Sequence, residues 1–354
     1  DGLTYLQDTD GDNQFNPGDT TRVKVILSNE WGGDAVNIEA TLTSQDDRIT
    51  ILDNYIDFNG SPLGDIVIPP GEISSTIFDW FLVSADEDAI TGSVPCVITI
   101  TAGTDEYPYQ VVEDIALELT LSQFGFPLES IIVKSSPIVA DLDEDGYKEI
   151  YFGSDNNLLH GHNSFGEELV GFPFQSTDRI RSSPAIGDVD NDGQMEIVFG
   201  NSSGKLYIIN QDGSQQLAYT QLGFVEGAPA LVDIDGDQDL EIIFTTTTGS
   251  GGQVYVIHHN GATESGFPKE IGSMFAGPAV HDLDNDGVVD VVCVTYDKEI
   301  YAIEAIGGAI KSGFPFTAES RFSMPATIVD VDSDGDYEIA AGCNSGDLYI
   351  LHHD

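Results

Sequence analysis

Short apolar stretches alternate with turn-forming residues along the whole chain. Residues 149–154 read EIYFGS, residues 196–201 read EIVFGN and residues 241–246 read EIIFTT, and clusters of Gly, Asn, Asp and Ser separate such runs. Runs of this length, rich in β-branched and aromatic side chains, are typical of strands. Apolar residues do not recur at the spacing of a helix face. The pattern therefore predicts an all-β protein.

One segment of this pattern recurs five times after about residue 124. Its copies are residues 141–149, 188–196, 233–241, 282–290 and 330–338, which start 47, 45, 49 and 48 residues apart. Each copy follows a proline-led strand and precedes two apolar strands, and a Gly-Phe-Pro element closes most units. Four short strands per unit of this size match one β-propeller blade, whereas a solenoid of similar period would need helices or shorter coils.

The ends of the repeat array bear on the number of blades. Gly125-Phe126-Pro127 precedes the first unit, and the last unit stops after its third strand. We expect the early element to supply the fourth strand of the last blade, which would close a ring without exposed edges. The predicted fold is thus a five-bladed β-propeller over residues 122–354. Residues 1–121 lack the repeat, and their roughly seven predicted strands favour an immunoglobulin-like β-sandwich.

The repeated segment carries carboxylates at a spacing that suits calcium. Asp-x-Asp-x-Asp-Gly-x-x-Glu places side-chain oxygens at positions 1, 3 and 5, a backbone carbonyl at position 7 and a carboxylate at position 9, and Ca²⁺ takes six to eight such oxygens. Without a cation, each carboxylate pair 4 Å apart costs about 1 kcal/mol even in water. We therefore expect about five calcium ions in the propeller. The predicted ligands are Asp141, Asp143, Asp145, Tyr147 and Glu149 in loop one; Asp188, Asp190, Asp192, Gln194 and Glu196 in loop two; Asp233, Asp235, Asp237, Asp239 and Glu241 in loop three; Asp282, Asp284, Asp286, Val288 and Asp290 in loop four; and Asp330, Asp332, Asp334, Asp336 and Glu338 in loop five.

Two loops depart from the pattern, and a sixth loop resembles it. Glycine at position 6 allows the sharp turn, so we expect distortion in loop three, where Gln238 stands at that position and Gly236 precedes it by two residues. Loop four ends in the shorter Asp290, which suggests binding through water. Near the N-terminus, an Asp/Asn-rich segment has the spacing of an EF-hand loop or of an ordinary Asx-rich turn. As a sixth calcium site its ligands would be Asp8, Asp10, Asp12, Gln14 and Asp19.

The strongly negative net charge limits the kinds of molecule that the protein is expected to bind. The chain has 61 Asp+Glu against 12 Lys+Arg, for a formal net charge of -49, which either cation binding or life in high salt explains. Nucleic-acid phosphate and anionic lipid repel such a polyanion, so neither partner is expected. No apolar run approaches the roughly 20 residues that span a bilayer, so no membrane insertion is expected. Since millimolar calcium is found outside cells, the loops favour a secreted protein, and we expect Asp1 to be a mature or trimmed N-terminus.

Residues 124–354 resemble the FG-GAP/VCBS repeats of integrin α-chain propellers and of bacterial secreted proteins. The matching elements are Phe275-Ala-Gly-Pro278 before a strand and the Asp-x-Asp-x-Asp-Gly loop after it, and the Gly-Phe-Pro ends look like the bacterial branch. The resemblance implies a calcium-loaded propeller. It implies little about function, because such propellers serve in adhesion, substrate binding and scaffolding. Integrin-type propellers usually have seven blades, so five is a departure.

No catalytic or organic cofactor site is predicted. The Gly200–Gly204 segment fits G-x-S-x-G but is expected in a hairpin turn, and the adjacent histidines 258–259 and 352–353 face opposite sides of a strand. Asn59 and Asn201 begin glycosylation sequons. Three hypotheses remain open: a non-enzymatic extracellular structural or adhesion module, with a protein or glycan partner or self-assembly; a carbohydrate- or protein-binding accessory domain of a secreted hydrolase; and a polysaccharide-degrading enzyme.

Overall fold

The computed structural model describes residues 2–5, 14–30, 32–58, 67–75, 79–122, 125–129, 131–221, 223–249 and 251–353. All regular structure in these ranges is β-strand, arranged in small antiparallel sheets, so the all-β prediction is confirmed. The chain divides into two compact units, Asp1–Pro127 and Leu128–Asp354. The sequence predicts the domain boundary after residue 121, a few residues before the division between Pro127 and Leu128. Within the described ranges there is no helix long and apolar enough to cross a membrane.

The first unit consists of two antiparallel sheets. One has the order β1-β2-β7-β4, with β6 also paired to β2, and the other has the order β5-β3-β8-β9. Burial alternates strictly along β2, as expected for a strand with one face in a core. The buried side chains of both sheets form one cluster that includes Phe15, Val23, Leu42 and Phe81. The strands are β1 Gly2–Tyr5, β2 Thr20–Ser28, β3 Glu39–Thr43, β4 Ile49–Asp53, β5 Tyr55–Asp57, β6 Ile73–Ser75, β7 Phe81–Ala85, β8 Gly92–Thr104 and β9 Tyr107–Leu119.

The second unit repeats one sheet five times along the chain. Four sheets have four strands in sequence order and the fifth has three, and their first strands contact one another in succession. The strands are β10 Ile138–Ala140, β11 Glu149–Gly153, β12 Leu158–His162 and β13 Phe174–Gln175; β14 Ala185–Gly187, β15 Glu196–Gly200, β16 Lys205–Asn210 and β17 Gln215–Thr220; β18 Ala230–Val232, β19 Glu241–Thr245, β20 Gln253–Ile257 and β21 Lys269–Glu270; β22 Ala279–His281, β23 Asp290–Val294, β24 Glu299–Glu304 and β25 Phe316–Thr317; and β26 Thr327–Val329, β27 Glu338–Gly342 and β28 Leu348–Leu351.

Successive sheets bury apolar side chains between them. In the second sheet, Tyr207 and Ile209 pack with residues of the first sheet, while Leu206 and Ile208, on the opposite face, pack with residues of the third. The second, third and fourth sheets are therefore apolar on both faces, which explains why their middle strands are nearly continuous apolar runs.

The last sheet has three strands among the described residues, and the expected fourth strand is not among them. Residues 125–129 contain a turn and a bend but no strand, and within the described ranges β28 pairs only with β27. Leu348 and Ile350 of β28 are 70% and 46% exposed, whereas their counterparts Leu206 and Ile208 are 0% exposed. Closure of a five-membered ring stays a prediction.

Candidate metal centres

Each acidic loop of the second unit joins the first two strands of one sheet. The position-9 acids are the first residues of the second strands, so the sheets themselves fix their place; they are Glu149, Glu196, Glu241, Asp290 and Glu338. All five residues are at most 4% exposed. A buried carboxylate is costly unless it is paired or hydrogen-bonded, so every sheet holds an acid that needs a counter-charge.

One set of hydrogen bonds recurs in all five loops. The backbone N–H of position 2 donates to the position-9 carboxylate at 2.8 to 3.2 Å. The N–H of position 6 donates to the position-1 aspartate at 2.9 to 3.2 Å. The N–H of position 7 donates to the position-5 aspartate at 2.8 to 3.0 Å. Each loop is thus a turn wrapped around its own carboxylates.

Two positions in each loop have left-handed backbone. In loops one, two, four and five, position 6 is glycine with φ between 88° and 102°, and position 4 is a polar residue with φ between 55° and 65°. Loop three reverses the residue types, with Gly236 at position 4 (φ 82°) and Gln238 at position 6 (φ 79°). The N–H of Gln238 still donates to Asp233, at 3.1 Å. The expected distortion of loop three is therefore wrong, because the backbone needs left-handed residues at both positions and glycine serves at either.

The carboxylates of positions 1, 3 and 9 converge. In loops one to four, one oxygen from each of these side chains lies within 4.8 Å of the other two. The position-5 aspartates are not members of these groups. Each of them accepts a hydrogen bond from the backbone N–H of the position-7 residue, which is Tyr147, Gln194, Asp239, Val288 or Asp336. Oδ1 of Asp141 and Oδ1 of Asp190 are buried without a hydrogen-bond partner. A hard cation that takes oxygen ligands at 2.3 to 2.6 Å fits such a donor set.

Burial sets the ionisation of the position-9 acids. It raises the pKa of Glu149, Glu196 and Glu241, and the negative loop aspartates raise it further. The pKa of Glu196 rises to about 7. A divalent ion favours the ionised form of such an acid, so cations and protons compete for the loop.

Loop four differs because a lysine reaches into it. Nζ of Lys311 lies 2.9 Å from Oδ2 of Asp284 and 3.0 Å from Oδ2 of Asp290, and the lysine side chain is 9% exposed. Burial raises the pKa of Asp290, and the hydrogen bond from Lys311 opposes that shift. An ammonium group already supplies positive charge here, so the residues of loop four fit calcium less well than those of the other loops.

The position of Lys311 is occupied by other residues in other repeats. Lys311, Leu169 and Glu264 each stand two residues before a Gly-Phe-Pro glycine. Each donates its backbone N–H at 2.9 Å to a carbonyl of the third strand in its sheet. The lysine is far from Asp290 in sequence, so its role was missed. The alignment of Gly-Phe-Pro elements is the signal that reveals it.

The adjacent histidines of the third repeat contact different acids, as expected. His258 lies 2.9 Å from Oε1 of Glu241 and 3.4 Å from Oε2 of Glu264, while Nδ1 of His259 lies 3.2 Å from Oδ2 of Asp239. A second histidine cluster was missed. One ligand atom each from His160, His162 and Glu168 lies within 4.8 Å of the other two. Its sequence signal is the His-x-His spacing, which places both rings on one face of a strand.

Other sequence motifs have ordinary structural roles. The G-x-S-x-G segment is the hairpin turn between β15 and β16, as predicted. The sequon residue Asn201 is fully buried, its amide donates to Ser176 and Thr177, and its carbonyl accepts two backbone N–H groups. A glycan on Asn201 is incompatible with this packing. Asn59 lies outside the described residues.

The sixth predicted loop is described only in part. Asp8, Asp10 and Asp12 lie outside the described residues. Asp19 is 6% exposed, and its Oδ2 accepts the N–H of Asn16 at 2.9 Å. Gln14 is described and takes part in a further interaction, as Asp19 does. The metal site proposed for this loop stays a prediction.

Comparison with known proteins places the repeats in a family. The second unit is an array of antiparallel sheets joined by acidic turns, and the model of the FG-GAP-like repeat matches residues 141–199, 188–244 and 233–293. FG-GAP-like repeats are therefore found three times in succession within residues 141–293, and the resemblance drawn from the sequence is confirmed for this segment. The comparison with curated proteins found no match.

Several solved structures share a distant likeness with the chain. BamB from Moraxella catarrhalis is 14% identical to this chain, and the alignment covers 99% of this chain and 100% of the BamB chain, with a TM-score of 0.41. Sqt1 from Saccharomyces cerevisiae is 11% identical, with 99% of each chain covered and a TM-score of 0.45. BBS1N, in complex with ARL6DN, is 11% identical over 63% of this chain and 67% of its own, with a TM-score of 0.42. At these scores the likeness assigns no function.

Proposed function

We propose that residues 122–354 form a calcium-stabilised, five-bladed propeller that serves as a non-enzymatic structural or adhesion module outside the cell. The observation that carries the proposal is the fivefold recurrence of one loop geometry with a buried acid at position 9. Solvated acidic turns have no reason to repeat a buried carboxylate at equivalent points. A cation that joins these carboxylates would fix the turn between two strands of each sheet.

The extent of the proposed calcium binding differs among the loops. Loops one, two, three and five have no lysine among their contacts within the described residues, whereas loop four has Lys311. We assign calcium to loops one, two, three and five, and a weaker calcium site to loop four. Affinities near the millimolar range are usual for extracellular modules, and this agrees with a secreted location. The immunoglobulin-like assignment of residues 1–121 and the calcium site of Asp8–Asp19 are further parts of the same proposal.

Replacing one ligand tests the calcium assignment. We predict that Asp190→Ala removes about one calcium ion per chain and lowers the calcium-dependent rise in melting temperature, because position 3 loses its carboxylate. The matched control is Asp212→Ala, which removes an exposed carboxylate in the hairpin of the same repeat. The measurements are native mass spectrometry and thermal unfolding with and without EDTA. Equal calcium counts in the two variants would contradict the assignment for loop two.

The structural or adhesive role has its own test. A module that builds a surface assembly is expected to form defined oligomers or fibres when calcium is present and to lose them in EDTA. Size-exclusion chromatography and negative-stain imaging measure this directly. A strict monomer at all calcium concentrations would count against self-assembly and leave a protein or glycan partner as the binding target.

A cavity in the first unit favours a second candidate function, carbohydrate binding by an accessory domain. It has a volume of about 600 Å³, its walls include Ile38, Ile68, Tyr107 and Glu113, and Tyr107 is 75% exposed. Cavities of this size with apolar walls and a few polar groups are typical of ligand sites. A glycan array on the wild type and on Tyr107→Ala tests this candidate. Binding that survives the substitution, or no binding at all, would exclude this cavity as the site.

A further inference from the structure

Three side chains suited to transition metals meet on one face of the first sheet of the second unit. His160 and His162 are alternate residues of β12, and Glu168 forms an isolated β-bridge with His162. One ligand atom of each lies within 4.8 Å of the other two, and Nδ1 of His160 is 3.9 Å from Oε1 of Glu168. The acidic loop of the same sheet contributes none of the three.

Hydrogen bonds determine which nitrogen of each ring carries a proton. Nδ1 of His162 lies 3.0 Å from the carbonyl oxygen of Gly166, which can only accept, so Nδ1 is protonated. Nε2 of His160 lies 3.2 Å from Oγ of Ser154, whose single hydroxyl proton has two acceptors within reach, the carbonyl of Leu158 at 2.8 Å and Oδ1 of Asn156. Ser154 therefore accepts from His160, and Nε2 of that ring is protonated. The lone pairs that remain are on Nδ1 of His160 and Nε2 of His162.

These two lone-pair nitrogens are buried and unsatisfied. His160 is 5% exposed, His162 is 6% exposed, and neither free nitrogen has a hydrogen-bond partner among the described residues. A buried polar atom without a partner costs about 1 to 3 kcal/mol. Two imidazoles whose outer nitrogens are hydrogen-bonded and whose inner nitrogens face a common carboxylate are the arrangement found in protein metal sites.

The other repeats carry different residues at the same places. Strand pairing makes Tyr207, Tyr255, Tyr301 and Tyr349 the counterparts of His160, and Ile209, Ile257, Ile303 and Leu351 the counterparts of His162. The isolated bridges make Thr263 and Ile310 the counterparts of Glu168. The first sheet thus replaces a tyrosine, a large aliphatic residue and an uncharged residue with three metal-binding side chains at once. Packing alone requires none of these replacements.

We propose that His160, His162 and Glu168 bind one divalent transition-metal ion, and that Zn²⁺ matches this ligand set best. Two imidazoles and a carboxylate form known zinc sites that keep a fourth position open, and nitrogen ligands disfavour Ca²⁺ and Mg²⁺. In a tetrahedral site with metal–ligand bonds of 2.0 to 2.2 Å, the ligand atoms lie roughly 3.3 Å from one another. The three ligand atoms must therefore move slightly closer together when the ion binds. The Glu168 side chain, which is 46% exposed, can make that movement and leaves the ion accessible to water.

Zinc titration of the full chain in excess calcium tests the proposal, because calcium occupies the acidic loops that could otherwise take up zinc. We expect one zinc ion per chain by calorimetry and native mass spectrometry. Glu168→Gln is expected to raise the dissociation constant at least about tenfold. The double variant His160→Tyr/His162→Ile, which restores the residues of the other repeats, is expected to bind no zinc and to melt no lower than the wild type in calcium. His281→Gln changes an exposed histidine elsewhere and is expected to bind like the wild type.

Two results of the zinc titration would overturn the proposal. One is equal zinc uptake by the wild type and the double variant, and the other is no uptake by the calcium-loaded wild type. X-ray absorption of the zinc-loaded wild type provides a measurement that needs no variant. Scattering from two imidazole rings is expected, and a shell of oxygen ligands alone would refute the site. The difference in zinc uptake between the wild type and the double variant is independent of the calcium proposal, since the histidines lie outside the acidic loops and both chains carry the same loops.

Discussion

In loops three and four, single side chains from outside the loop contact the buried position-9 acid. In loop four Lys311 contacts Asp284 and Asp290, and in loop three His258 contacts Glu241. The sequence shows the loop carboxylates because they recur at fixed spacing. It does not show these partners, because they come from segments that only the sheet brings close. The same holds for His160 and His162, whose free nitrogens depend on contacts with Ser154 and Gly166.

Replacing Lys311 tests the charge balance of loop four. We predict that Lys311→Leu, which introduces the residue found at this place in the first repeat, lowers the stability in EDTA by roughly 3 kcal/mol, because the buried Asp290 loses its partner. In millimolar calcium we predict that the variant binds one more ion than the wild type. Denaturant unfolding and native mass spectrometry measure the two effects. Unchanged stability in EDTA together with an unchanged ion count would contradict the role assigned to the lysine.

At the scale of the element, the strands and their repetition are readable from the sequence, but the loop backbone is only partly so. The apolar runs that follow each loop become the middle strands of the sheets. The glycine at position 6 correctly indicates a left-handed turn. The second left-handed residue, at position 4, has no consistent residue type, since Glu144, Asn191 and Ser333 all take it. For this reason the sequence predicts a distortion at Gln238 that the structure does not show.

A glycine substitution in loop three measures the free-energy cost of placing a side chain on left-handed backbone. Gly236 has a φ of 82°, and a Cβ added there meets nothing within 4 Å, so only its conformation opposes a side chain. We predict that Gly236→Ala destabilises the calcium-loaded protein by about 1 to 2 kcal/mol. Gly249→Ala is the matched control, because that glycine also has open space but no left-handed φ. Equal unfolding free energies for the two variants would show that position 4 tolerates a side chain without strain.

At the scale of the whole molecule, the two compact units and the repeated sheets follow from the sequence, whereas closure of the array does not. The prediction of a fourth strand for the last sheet used only the order of Gly-Phe-Pro elements along the chain. Strand pairing depends on where that segment lies in space, which the order does not determine. Leu348 and Ile350 of β28 are exposed, whereas their counterparts Leu206 and Ile208 pack against the next sheet, so among the described residues no sheet covers this face of β28.

The raised pKa of Glu196 predicts how the stability of the molecule depends on pH. Without calcium, the folded chain keeps this proton between the ordinary value of 4.5 and about 7, while the unfolded chain has already lost it. The free energy of unfolding in EDTA should therefore fall as pH rises through that window. In calcium this fall should disappear, because the ion binds the ionised acid and the folded chain no longer keeps the proton. Thermal melts of the wild type and Glu196→Gln at several pH values check this, and an identical pH dependence in EDTA would count against it.

The central claim is that the recurring acidic loops hold calcium and thereby fix the sheets. A crystal structure grown in millimolar calcium and measured for anomalous scattering tests it most directly. The account predicts peaks within 2.3 to 2.6 Å of the carboxylates of loops one, two, three and five, and a weaker peak or none in loop four. Ordered loops without any peak under these conditions would contradict the account.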